Sequence, residues 1–133
     1  MAAFLKASGY DVIQAGNGPK IAGLKMNTPT MNSMMYLMAG ASYFIGIDSG
    51  CSHVAVGLGI ESIIFSGSVN LKYRYADHSK IHTIQNACPI NNDGCYHSVI
   101  GVSGIECTVE RKSPPCITFT TDQIISKLNE IIK

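Results

Sequence analysis

Two short polar runs in this chain combine small side chains with groups suited to holding an anion. Asp48, Ser49 and Gly50 follow one almost continuously apolar stretch, and Ser66, Gly67 and Ser68 follow another. Small side chains let backbone N–H groups approach a ligand closely, and the Ser49 hydroxyl can donate to a phosphate oxygen. Gly50 lacks the Cβ that would stand between backbone and ligand. The first run opens into a helical segment, whose first unpaired amides and local field favour negative charge. His53 falls in the first turn of that segment. Asp48 suits a phosphate site only if it caps the helix, holds a ligand hydroxyl or helps to bind a metal. A plain cap at Asp48 and a helix-start histidine at His53 explain the same residues without any ligand.

Other chemistries are less well served. A nucleophilic Ser49 with His53 as its base lacks the Gly-x-Ser-x-Gly elbow, because Ile47, Asp48, Ser49, Gly50 and Cys51 stand there instead. Such catalysis also needs a third group to orient the base, and no spacing supplies one. Neither a dinucleotide-binding glycine fingerprint nor a P-loop follows a strand. Cys88, Cys95, Cys107 and Cys116 offer four soft ligands for a structural zinc or iron ion. They lack a tight Cys-x-x-Cys knuckle, so separate thiols or disulfides explain them as well, and His82 and His97 are substitute ligands or surface residues.

The elements that position these groups alternate between strand and helix. Met1 to Ser8 reads as the end of a helix closed by Gly9, and Tyr10 to Gln14 as a strand ending in the turn of Gly16 and Gly18. Ile21 to Leu24 reads as a short strand or turn. Thr28 as cap and Pro29 at the first helical position predict a helix through Ala39. Met31, Met34, Met35 and Met38 share one stripe of it, read as core packing or as an adaptable groove. Tyr43 to Ile47 and Glu61 to Phe65 have the apolar continuity of buried parallel strands, with a helix from Cys51 to Leu58 between them. That is a βαβ unit with a right-handed crossover. Residues 70–80 are polar and irregular, His82 to Ile84 forms a short strand, and 86–116 is an irregular cysteine-rich segment. A helix over about 120–132 closes the chain, with Ile124, Ile125, Leu128, Ile131 and Ile132 on one face.

The predicted fold is therefore α/β, a Rossmann-like parallel sheet, with residues 1–133 as a single domain. With 133 residues, 46% of them hydrophobic, the chain suffices for one core. A net charge of +1 gives no reason to expect nucleic acid. Lys72 with Arg74, and Arg111 with Lys112, read as solvated surface. No apolar run approaches the roughly 18 residues of a membrane span, and the start lacks the pattern of a signal peptide. The odd count of five cysteines argues against a fully disulfide-bonded scaffold, so a cytoplasmic protein is expected.

From Ala41 to Gly67 the order of features resembles the signature of the ADP-heptose:lipopolysaccharide heptosyltransferases, glycosyltransferase family 9. Those features are an apolar strand, Asp48, Ser49 and Gly50, two variable residues, His53, a small-residue helix, a second strand and a glycine loop. Weaker similarity covers Gly9 to Gly18 and the closing helix. The resemblance implies the C-terminal, donor-binding domain of a GT-B glycosyltransferase. Asp48, Ser49, Gly50 and His53 would then meet the phosphates or sugar of a nucleotide-sugar such as ADP-heptose, with Ser66 and Gly67 nearby and Gly16 and Gly18 matching an earlier loop. Relatives that modify autotransporters carry a cysteine-bound iron near the C-terminus. The family's catalytic base belongs to an N-terminal acceptor domain that this sequence does not contain. No catalytic residue is therefore assigned here, no cofactor is required for chemistry, and transfer is expected to need that second domain. The other readings are a non-catalytic nucleotide or nucleotide-sugar binding module and a structural or interaction domain.

Overall fold

The computed structural model describes residues 1–16, 18–27, 30–75, 79–86, 88, 107 and 114–132. It divides into two compact units, Met1–Ala41 with Thr121–Lys133, and Ser42–Thr120. The second is a small α/β arrangement around a three-stranded parallel sheet, consistent with a generic Rossmann-like fold.

In the first unit, helix α1 (Ala2–Ala7) ends in a Schellman closure. Gly9 takes φ +87°, its N–H donates to Lys6 O, and Tyr10 N–H donates to Leu5 O. That closure commits the Tyr10 amide to the helix end. The expected strand accordingly starts later, as β1 (Ile13–Ala15), which pairs in parallel with β2 (Lys25–Asn27). Residues 21–24 form a turn closed by Leu24 N–H on Ile21 O, not a strand. The glycine loop between the strands is braced by Gln14, whose Nε2 donates to Pro19 O and whose Oε1 accepts from Ile21 N–H, both at 2.7 Å.

Helix α2 (Met31–Ala39) is capped by Thr30, whose side chain accepts from Ser33 N–H. Thr28 and Pro29, the expected start, lie outside the described residues. The core-packing reading of the methionine stripe holds for Met38, which is buried. Met34 is half-buried, while Met31 and Met35 are exposed. The closing helix, α4 (Thr121–Ile131), buries Leu128 completely and leaves Ile124, Ile125, Ile131 and Ile132 partly covered.

In the second unit, β3 (Tyr43–Ile47), helix α3 (Gly50–Gly57) and β4 (Glu61–Phe65) form the expected βαβ unit. β5 (Ile81–Ile84) adds in parallel on the far side of β4. A second Schellman closure turns α3 into β4. Gly59 adopts φ +71°, its N–H donates to Val56 O, and Ile60 N–H donates to Ala55 O. The central strand carries the core, with Ile63 and Ile64 fully buried beside Ala55, Leu71 and Ile84. β3 is an edge strand and only half-buried, with Ile47 exposed, so its apolar run overstated its burial. The polar 70–80 stretch contains a 3-10 turn, Leu71–Tyr73, with Leu71 buried at its start. Among the described residues, no helix is long and apolar enough to cross a membrane.

Candidate functional site

The parallel register brings three strand ends abreast. Ile47 pairs with Phe65, and Phe65 with Ile84. The ladder continues one residue further, through Asp48 N–H on Phe65 O and Ser66 N–H on Ile84 O. Asp48, Ser66 and Gln85 therefore leave the sheet along one edge, the carboxyl edge at which open parallel sheets bind ligands. Both polar runs singled out by sequence meet there.

Ser49 is the N-cap of α3, in extended conformation. Its peptide is held on both sides by Ser52, which is completely buried. Ser49 N–H donates to Ser52 Oγ at 2.9 Å, and the Ser52 hydroxyl donates to Ser49 O at 2.6 Å. The same oxygen accepts from the Tyr75 hydroxyl at 3.3 Å. One donor and two acceptor positions exhaust a serine hydroxyl, so Ser52 is fixed in a single orientation. Gly50 lies at the first helical position with nothing within 4 Å of where a Cβ would be. Packing does not demand a glycine there.

Arg74 and Tyr75 bring further groups to this turn. Arg74, exposed as its sequence setting suggests, has Nη2 3.9 Å from Asp48 Oδ2, with the two side chains 33% and 17% exposed. The Tyr75 ring meets the exposed His53 imidazole at a 5.2 Å centroid distance, tilted by 48°. Arg74, Tyr75 and Ser52 were missed by sequence reasoning. The two residues after the 3-10 turn follow no period, and Ser52 is one of the two variable residues between Gly50 and His53.

The second loop has internal duties. The buried Ser66 hydroxyl donates to Val69 O, which closes the loop on itself. Gln85 Nε2 donates to Gly67 O at 2.6 Å and to Val69 O at 3.2 Å. A Cβ on Gly67 would meet Ile117 Cγ2 at 2.3 Å, so any side chain there would force Ile117 to shift. Gly16 and Gly18 belong to the first unit, where Gly16 takes φ +125°.

Of the described cysteines, Cys51, Cys88 and Cys107 are free thiols, and Cys116 is buried. Among the described residues, no group of three or more His, Cys, Asp or Glu side chains could hold a metal ion, and Cys95 lies outside them. Chemically, the cluster around Ser49 offers a rigid N-cap peptide at a helix start, one guanidinium and an imidazole, a set suited to an anion, with the Ser52 N–H already engaged by the Ser49 side chain in a capping box. No family model, curated protein or solved structure matches this chain.

Proposed function

We propose that the carboxyl edge of the three-stranded sheet binds the phosphates of a nucleotide-sugar, as the donor-binding part of a heptosyltransferase-like, GT-B glycosyltransferase. The observation that supports it most is the α3 start. An N-cap peptide locked by Ser52 adjoins a Gly50 with room for a Cβ, and Arg74 stands 3.9 Å from the neighbouring Asp48. Helix-start amides and a guanidinium together hold a phosphate and would stabilise the negative charge that builds on a departing diphosphate.

His53 is exposed beside the same turn and would reach the ligand from its flank, while Ser66 and Gly67 shape the neighbouring loop. The donor's base and sugar, ADP-heptose by resemblance, are part of the proposal, as is an acceptor-binding domain facing this edge during transfer. A cytoplasmic setting is part of the same proposal. A non-catalytic nucleotide-binding module rests on the same geometry and differs only in lacking transfer.

Calorimetric titration with ADP, UDP, GDP and their sugar conjugates tests the reading. Saturable binding that favours a diphosphate over the bare nucleoside is expected. A folded chain that binds none of them contradicts it.

A further inference from the structure

We draw no further inference here: the strongest candidate, the exposed apolar patch of Met31, Met35 and Tyr36 on the uncharged helix α2, carries nothing because nothing in the structure shows what covers it.

Discussion

Replacing Ser52 by alanine removes one oxygen and tests whether the α3 start is as rigid as its geometry implies. The hydroxyl is wholly enclosed and makes bonds of 2.6 and 2.9 Å to the Ser49 peptide, plus a longer one of 3.3 Å from Tyr75. The two short bonds contribute about 1 kcal/mol each, and leaving the Ser49 N–H without a partner in a part-buried turn adds to the loss. The Tyr75 bond exceeds the usual range for hydroxyl pairs and contributes less. Alanine's better helix propensity returns about 0.5 kcal/mol. The expected net loss is roughly 1.5–2.5 kcal/mol, or a fall in Tm of roughly 5–10 °C. Urea unfolding followed by circular dichroism measures it, with Tyr75→Phe as a milder companion, expected to cost about 0.5 kcal/mol. A Ser52→Ala variant within about 0.5 kcal/mol of the parent would refute the claim that this hydroxyl organises the turn.

Ile64→Ala, at a fully buried position on the central strand, is expected to cost about 2–5 kcal/mol in urea unfolding, whereas an edge-strand cut at Ile47 should cost far less. Gly67→Ala should destabilise by about 1–3 kcal/mol, because the new methyl collides with Ile117, and adding Ile117→Ala should recover most of that loss. Gly50→Ala should leave stability unchanged or raise it by about a few tenths of a kcal/mol, since no atom opposes the methyl. It should nevertheless weaken pyrophosphate binding in calorimetry. Unaltered affinity would mean that no ligand approaches that backbone.

Much of the sheet was legible because its signals are local. Tyr43–Ile47 and Glu61–Phe65 form strands at the expected bounds, being apolar runs closed by small polar residues. Gly9 and Gly59 end their helices at positive φ, as a glycine after a helical run suggests. Asp48, Ser49 and Gly50 fall at a strand end and helix start, where the βαβ pattern puts them. What stayed illegible depends on distant partners. β2 is built from Lys25, Met26 and Asn27, none a strong strand former, and exists through its pairing with β1. Arg74 reads as a surface charge until the fold brings it to Asp48, and Ser52 gains its role only when Tyr75 closes on it. Half of the candidate cluster is thus a tertiary product with no periodicity of its own.

The central claim is that phosphate binds at the α3 start, and the most direct measurement is an amide chemical-shift titration of the 15N-labelled full chain with ADP, using adenosine as the control. The account expects saturable shifts led by the Ser49, Gly50 and Cys51 amides with ADP, and little change at those positions with adenosine. Saturable binding whose shifts spare that turn, or equal responses to ADP and adenosine, would contradict it.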